Sequence, residues 1–167
     1  MTVRSATPQD LDGLAQLWHD VWHETHAHLA PPSLARLRTL ENFRERLAAG
    51  LSGVRLSGPP GAPTGFCWVK GDELYQLWVG REARGTGVAA VLVADAEQRL
   101  AEHGVDSAWL ACAIGNDRAA RFYEKCGWKN VGVFEYAAET FEGPVTMQVW
   151  RFERALPPLP QGEGARG

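Results

Sequence analysis

The feature that most constrains the fold of this sequence is a glycine-rich loop between an apolar segment and a helical one. Residues 83–97 read ARGTGVAAVLVADAE, directly after the apolar stretch LYQLWV at 74–79. The earlier stretch is too short and too aromatic for a helix, whereas apolar residues recur at steps of three and four after the loop. This pattern predicts a strand, a loop and a helix that ends at Gly104.

The loop has the composition of an anion-binding site. The first turn of a helix leaves backbone N–H groups without partners and carries a partial positive charge. Gly85 and Gly87 have no side chain that would keep a phosphate away from these groups, and Arg84 adds a permanent cation. Taken alone, the loop is compatible either with a pyrophosphate site or with a tight turn beside a solvated arginine.

Two other phosphate-binding motifs fit the chain less well. The pattern GxxxxGK[ST] is absent, so nucleotide triphosphatase chemistry has no support. Residues 85–90 match the dinucleotide pattern GxGxxG/A, but residues 80–84 intervene between the strand and the first glycine. Asp106 lies at about the required distance for the ribose, yet it precedes a strand instead of following one. A dinucleotide site is therefore disfavoured.

Hydrophobic spacing and turn residues predict the other elements. One helix begins near Pro8, a second helical stretch occupies 34–50, and a third helix follows Asn116. Strands are predicted at 52–57, 64–70, 74–79, 107–112, 128–136 and 145–152. These elements indicate one domain at 1–155, followed by a flexible Pro/Gly-rich tail at 156–167.

Composition and charge narrow the classes of partner. The net charge is −3 and Lys and Arg are scattered singly, so the basic patch of a nucleic-acid binder is missing. No apolar run approaches the roughly 18 residues of a membrane span, and the start lacks a secretory signal. Cys67, Cys112 and Cys126 are odd in number and show no CxxC spacing. We therefore expect a cytoplasmic protein that acts on a small molecule or peptide, without nucleic acid or membrane.

A second motif lies downstream of the loop and makes the assignment more specific. Residues 116–128 read NDRAARFYEKCGW. Together the motifs resemble those of the GNAT superfamily of acetyl-CoA-dependent N-acetyltransferases. In that family the pyrophosphate loop reads Q/R-x-x-G-x-G/A, and the later segment reads N-x-x-A-x-x-F-Y with a following glycine and aromatic residue. Residues 84–89 fit the loop at every position, and residues 77–79 match the apolar strand before it.

The resemblance covers residues 3–153 and implies an α/β (α+β) fold of the acyl-CoA N-acyltransferase type. It implies a single mixed, mostly antiparallel sheet with flanking helices, splayed open between the strands at 74–79 and 107–112. It also implies transfer of an acetyl group from acetyl-CoA to a primary amine by direct attack in a ternary complex, without a metal. A homodimer is compatible with this interpretation.

The same resemblance identifies a coenzyme site residue by residue. The pantetheine arm is expected along the backbone of the strand at 77–79, and the pyrophosphate at the loop. The implied coenzyme-binding residues are Leu77, Trp78, Val79, Arg84, Gly85, Thr86, Gly87, Val88, Ala89, Asn116 and Tyr123.

Acetyl transfer to an amine requires a neutral nucleophile, a stabilised oxyanion and a protonated leaving thiol. The resemblance gives the last role to Tyr123, since a phenol with a pKa near 10 stays protonated at neutral pH and can donate to a thiolate. The spacing of Tyr123 with Ala119, Phe122 and Cys126 alone would favour a core residue. The resemblance favours the role of general acid for Tyr123.

The base that deprotonates the amine has several candidates. Glu73 is the first, because it begins the strand before the loop. Simple alternation would place Glu73 on the same face as Leu77 and Val79, although a β-bulge would reverse this facing.

A cluster of histidines supplies rival bases. His19, His23 and His26 share one helical face beside the apolar stripe and titrate near neutral pH. Trp22, His23 and His26 are candidates for contacts with the acceptor. The spacing of His19 and His23 also permits a shared metal, but no cysteine lies near them, so we expect no metal site.

Two alternatives concern the reaction itself. Cys112 ends a strand beside the expected acetyl site, so an acetyl-cysteine intermediate is conceivable, although a small buried residue fits better. The chain could also be a non-catalytic module that binds or senses acetyl-CoA. The intact loop and Tyr123 favour the enzyme. The sequence leaves the acceptor, the base and the preferred acyl-CoA open.

Overall fold

Seven strands form one sheet in the computed structural model, which describes residues 2–159. The strands are β1 (Val3–Ser5), β2 (Val54–Ser57), β3 (Gly65–Lys70), β4 (Glu73–Val79), β5 (Ser107–Ala113), β6 (Lys129–Ala138) and β7 (Val145–Ala155). The helices are α1 (Leu11–Thr25), α2 (Pro32–Ala35), α3 (Leu40–Ala49), α4 (Val88–Glu102) and α5 (Asp117–Lys125). Of the tail predicted at 156–167, residues 160–167 lie outside the described part of the chain.

The sheet has the order β1-β2-β3-β4-β5-β7-β6, and every neighbouring pair except β4 with β5 is antiparallel. This confirms the mixed, mostly antiparallel sheet with flanking helices. Apolar side chains are buried on both faces, and each large one contributes about 1.5–3 kcal/mol to folding. The core beside α4 includes Leu92, Leu100, Leu110 and Phe152. The core beside α1 and α3 includes Trp18, Phe43, Leu47 and Phe66.

The sheet is splayed between β4 and β5, as the family resemblance implied. The two strands pair only at Glu73 and Trp109, where the N–H of Trp109 donates to the carbonyl of Asp72 at 3.2 Å. Beyond this point the strands diverge, so the edge of β4 that faces β5 has no strand beside it. A ligand can therefore reach backbone groups in the middle of the sheet.

A β-bulge lies within β4. Trp68 of β3 is opposite Gln76, whereas Val69 is opposite Leu74. Tyr75 is therefore an additional residue in β4, and the faces of the strand exchange across it.

The bulge decides which way the side chains of β4 point. Leu77 and Val79 pack in the core beside α4, whereas Tyr75 and Trp78 pack in the core beside α1 and α3. The carboxylate of Glu73 lies on the latter side, where it accepts a hydrogen bond from a tyrosine of β6. Simple alternation, which places Glu73 with Leu77 and Val79, is wrong for this reason.

The helical stretch predicted at 34–50 is divided into α2 and α3. Thr39 interrupts it, because its backbone is extended and its side chain accepts the N–H of Asn42 at 3.1 Å to cap α3. The residue before this cap, Arg38, turns inward and is buried. The break therefore brings a cation into the interior.

Candidate active site

A groove of about 400 Å³ opens where β4 and β5 diverge. Its walls come from β4, the loop after β4, the start of α4, and α5. The residues predicted to bind coenzyme that line it are Leu77, Trp78, Val79, Arg84, Gly85, Gly87, Val88, Ala89, Asn116 and Tyr123. Thr86 is placed differently, since its hydroxyl donates to the carbonyl of Ala83 and closes the turn.

The glycine loop forms a cradle at the start of α4. Gly85 and Gly87 have φ angles of +79° and +89°, and a Cβ atom at either position would meet nothing within 4 Å. Gly87 directly precedes α4, and no side chain in the described part of the chain caps the helix there. The N–H groups of the first turn, from Val88 onward, have no intrahelical partner and carry a partial positive charge, and the space beside the two glycines is open. This geometry fits a pyrophosphate.

Arg84 is held beside this cradle by a carboxylate of α1. Its Nη1 donates to Oε1 of Glu24 at 3.0 Å, and Nη2 of Arg81 lies 3.0 Å from the same oxygen. The two guanidiniums, Arg81 first, lower the pKa of Glu24. Because an arginine has five N–H donors, Arg84 can keep this contact and still bind a phosphate.

Tyr123 lies in the groove wall on α5. Its ring packs on Trp128 and Phe152, with ring centroids 6.4 Å and 5.8 Å away. Its hydroxyl makes no hydrogen bond with any residue of the described chain. Burial raises the pKa of Tyr123 above its usual value, so the hydroxyl keeps its proton at neutral pH and can donate a hydrogen bond. Asn116 positions the same helix, because its side chain accepts the N–H of Ala119 at 3.3 Å.

Cys112 also lies in the groove wall. Burial raises the pKa of its thiol to about 12. A thiol needs to be ionised to act as a nucleophile. The position therefore disfavours an acetyl-cysteine intermediate.

A second cavity of about 130 Å³ adjoins the groove on the side of α1, α2 and α3. Its polar lining consists mainly of two arginines, Arg38 and Arg46, together with Tyr136 of β6 and Glu139 just after it. Aromatic and aliphatic side chains form the rest. These include Trp18, Trp22, Leu34, Tyr75, Trp78 and Met147.

His26 stands at the junction and lines both cavities. Its Nδ1 lies 2.6 Å from the hydroxyl of Thr25, and that hydroxyl donates to the carbonyl of Val21 at 2.7 Å. Because a hydroxyl has one proton, Nδ1 must carry the proton that it shares with Thr25. The lone pair then resides on Nε2. Burial lowers the pKa of His26 to about 4, so the ring is neutral at pH 7.

Of the other two residues predicted to contact the acceptor, only one lines a cavity. Trp22 lines the second cavity. His23 lines neither cavity, since its Nε2 lies 2.5 Å from the carbonyl of Arg38. The rings of His19 and His23 are 4.5 Å apart, but within residues 2–159 no group of three or more His, Cys, Asp or Glu could hold a metal ion.

Glu73, the first candidate base, lies behind the wall of the second cavity. It is 9% exposed, and its carboxylate accepts a hydrogen bond from the hydroxyl of Tyr136 at 3.2 Å. Burial raises the pKa of Glu73 to about 7. Tyr136 therefore connects this carboxyl group to the cavity.

A match to a family model shows which protein family the chain belongs to. Residues 14–128 match the acetyltransferase (GNAT) family, which is more than half of the chain. The chain belongs to the GNAT acetyltransferase family. This confirms the resemblance drawn from the loop and from the downstream motif, and it makes the protein an acetyltransferase.

Solved structures share the fold of this GNAT protein. The GCN5-related N-acetyltransferase from Rhodopseudomonas palustris is 19% identical, with a TM-score of 0.72 over 93% of this chain and 95% of that chain. The ribosomal-protein-alanine N-acetyltransferase from Brucella melitensis is 18% identical, with a TM-score of 0.71 over 93% and 100%. The PaiA N-acetyltransferase from Thermoplasma acidophilum, solved in complex with coenzyme A, is 16% identical, with a TM-score of 0.63 over 92% and 98%.

None of the curated proteins matches this sequence. In the described part of this GNAT protein, no helix is long and apolar enough to cross a membrane.

Sequence reasoning missed the polar side chains of the second cavity. Arg38 and Arg46 lie close together in the chain, but Tyr136 lies far from both. No motif connects them, and the fold brings them together where Nη1 of Arg38 donates to the carbonyl of Glu139, just after β6. Glu24 was also missed as a partner of Arg84, because it lies on α1, a different element from the loop.

Proposed function

We propose that this GNAT protein transfers the acetyl group of acetyl-CoA to a primary amine of a small molecule or peptide, by direct attack in a ternary complex. The observation that carries the proposal is the wall shared by the two cavities. That wall consists of His26, Tyr75, Gln76, Trp78, Ala111 and Ala113. A donor in the groove and an acceptor in the second cavity would meet at this wall, without a carrier residue on the protein.

The groove offers acetyl-CoA different contacts for its phosphates and for its pantetheine arm. The N–H groups at the start of α4 and the guanidinium of Arg84 suit the pyrophosphate. The backbone of residues 77–79 suits the amides of pantetheine, since the edge of β4 that faces β5 has no strand beside it there. A backbone N–H on the same edge can donate to the thioester oxygen as negative charge develops on it.

Tyr123 is proposed as the acid for the leaving group. The amine nitrogen forms a bond to the thioester carbon, and the bond between that carbon and sulfur breaks. The sulfur leaves with the electron pair and takes the proton of the Tyr123 hydroxyl, while the nitrogen loses one proton to a base. The free hydroxyl of Tyr123 in the groove wall supports this role, and its raised pKa means that the phenolate takes a proton back from water once the thiol has formed.

Glu73, acting through Tyr136, is our first proposal for the route that removes the proton from the amine. Tyr136 reaches the cavity and would accept this proton while it passes its own proton to the Glu73 carboxylate. A group with a pKa of about 7 suits this task at neutral pH. Nε2 of His26 is the rival, because it carries a lone pair at the shared wall. The low pKa of His26 makes it the weaker base.

Replacing Glu73 with glutamine should change how stability depends on pH. The pKa of Glu73 is raised in the folded protein, so between about pH 4.5 and 7 the folded chain binds more protons than the unfolded chain. The free energy of unfolding therefore falls as the pH rises through this window. Relative to wild type, Glu73→Gln should gain up to about 3 kcal/mol between pH 4.5 and 8. Urea denaturation at both pH values measures this difference.

Glu102→Gln, on the exposed end of α4, is the control for the loss of a carboxylate. It should keep the pH dependence of the wild-type protein. If Glu73→Gln and wild type lose stability equally with rising pH, the carboxyl of Glu73 is not buried as described. The pH profile of kcat/KM then separates the bases, since a limb near pH 7 should disappear in Glu73→Gln only if Glu73 is involved.

The proposed function is tested by thermal unfolding with acetyl-CoA, CoA and NADH in parallel, followed by turnover with a panel of amines. A ligand of the folded state raises the apparent melting temperature by mass action. We expect acetyl-CoA and CoA to raise it, NADH to leave it unchanged, and thiol release to depend on the amine. Stabilisation without turnover of any amine would indicate a sensing module instead. Stabilisation by NADH alone would contradict the proposal.

A further inference from the structure

We propose that the acceptor of this enzyme carries a carboxylate close to its amine, as a free α-amino acid does, and that Arg38 and Arg46 bind that carboxylate. The inference rests on the proposed function and specifies its acceptor. It comes from the charge, the size and the walls of the second cavity.

Both guanidiniums lie in the cavity wall without a carboxylate partner in the described chain. Arg38 is only 5% exposed. Burial, and secondly the charge of Arg46, lower the pKa of Arg38 to about 10. Arginines are rarely buried unless they are paired with an anion. An anionic ligand would therefore stabilise the site.

The hydrogen bonds of the two arginines go to neutral groups. Nη1 of Arg38 donates to Oδ1 of Asn42 at 3.1 Å and to the carbonyl of Glu139 at 2.6 Å. Nη2 of Arg46 donates to the hydroxyl of Tyr75 at 2.8 Å, and its guanidinium lies over the ring of Trp18, 4.5 Å from the centroid. These contacts fix the position of each cation without neutralising it.

Arg46 also has one N–H group without a hydrogen-bond partner in the described chain. Its Nε is buried and has no hydrogen-bond partner within residues 2–159. A buried polar atom without a partner costs free energy. Because this Nε is covered by protein, a carboxylate in the cavity would accept from it only after the guanidinium turns towards the ligand.

The other charged groups around the cavity leave it positive. Glu139 lines the rim, but it is 61% exposed and lies 3.3 Å from Lys70. Glu73 is separated from the cavity by Tyr136. His26 is neutral at pH 7. A polycationic acceptor would therefore be repelled, whereas an acceptor with one amine and one carboxylate is matched.

The cavity has room for a small acceptor. A volume of about 130 Å³ corresponds to about four water molecules, which is close to the size of one amino acid. Trp22, Leu34 and Met147 supply apolar walls for a side chain. Tyr75 lies in the wall shared with the groove and contacts Arg46. An acceptor held by Arg46 therefore has its amine within reach of the shared wall.

The experiment compares free α-amino acids with apolar side chains against their C-terminal amides, by initial rates of thiol release at fixed acetyl-CoA. Each pair keeps the same side chain and exchanges the carboxylate for a neutral amide, which also lowers the pKa of the amine and so by itself favours the amide as the nucleophile. We expect kcat/KM for at least one free acid to exceed that of its amide by about tenfold or more, the size of a charge-assisted hydrogen bond.

Arg46→Gln is the variant that tests the site, and Arg44→Gln is its matched control. Arg44 lies on the same helix but on the exposed side, where it pairs with Asp12. Arg46→Gln should reduce the ratio of acid to amide to near one, and Arg46→Lys should restore part of it. Arg44→Gln should keep the wild-type ratio. Stabilisation by acetyl-CoA shows that each variant is folded.

Two results would overturn this inference while leaving acetyl transfer intact. One is equal kcat/KM for the acids and their amides. The other is an enzyme that acetylates amines without a carboxylate but neither binds nor acetylates any of the free acids. A wild-type protein that fails to bind acetyl-CoA would instead contradict the proposed function.

Discussion

Replacing Gly87 with valine is expected to weaken acetyl-CoA binding by about a hundredfold or more. The position where a Cβ would stand is open space at the start of α4, and this is the space that the pyrophosphate would occupy. A valine side chain would separate the phosphates from the N–H groups of the first turn. Loss of two charge-assisted hydrogen bonds accounts for this factor. Isothermal titration calorimetry with acetyl-CoA measures it.

Gly104→Val is the control, because the two glycines share their backbone conformation. Gly104 has a φ of +81°, a Cβ there would also meet nothing within 4 Å, and it follows the other end of the same helix, α4. A left-handed conformation costs a residue other than glycine about 1–2 kcal/mol at either position. Both variants should therefore lose similar stability, whereas only Gly87→Val should lose coenzyme affinity. Equal affinities in the two variants would mean that the glycines serve the turn alone.

The features that the sequence predicted well are encoded in short segments. The loop at 84–89 and the cap at Asn116 are local motifs, because glycine and asparagine determine the backbone over a few residues. In the structure residues 84–89 lie between β4 and the first turn of α4, and Asn116 caps α5. The divergence of β4 and β5 was implied by the resemblance to a family, since no local pattern shows that two strands separate.

The facing of Glu73 shows a limit of local patterns. The bulge at Tyr75 shifts the register of β4 by one residue, and alternation alone does not reveal it. The second cavity shows the same limit for residues that are far apart in the chain. Arg38 is buried because its guanidinium reaches the carbonyl of Glu139, a contact between segments that lie far apart in the chain. Single, scattered arginines in a sequence of net charge −3 gave no sign of a positive cavity.

Tyr123→Phe should lower kcat by about a hundredfold, with little change in the affinity for acetyl-CoA. A general acid typically contributes a factor of about 10²–10⁴. The phenylalanine ring keeps the packing on Trp128 and Phe152, and the missing hydroxyl has no hydrogen-bond partner in the described chain. The melting temperature should therefore stay close to that of the wild-type protein. Steady-state kinetics, calorimetry and thermal unfolding measure the three quantities.

The pattern of these quantities separates the acid from a core residue. A group that acts only when the sulfur leaves stabilises the transition state and not the bound substrates, so its loss lowers kcat and kcat/KM equally. A group that only shapes the groove would instead raise KM or lower the melting temperature. Single-turnover rates show whether the chemical step is being observed, since slow release of CoA would conceal it. If the single-turnover rate of Tyr123→Phe equals that of wild type, the thiolate leaves without the proton of Tyr123, and another donor or water must supply it.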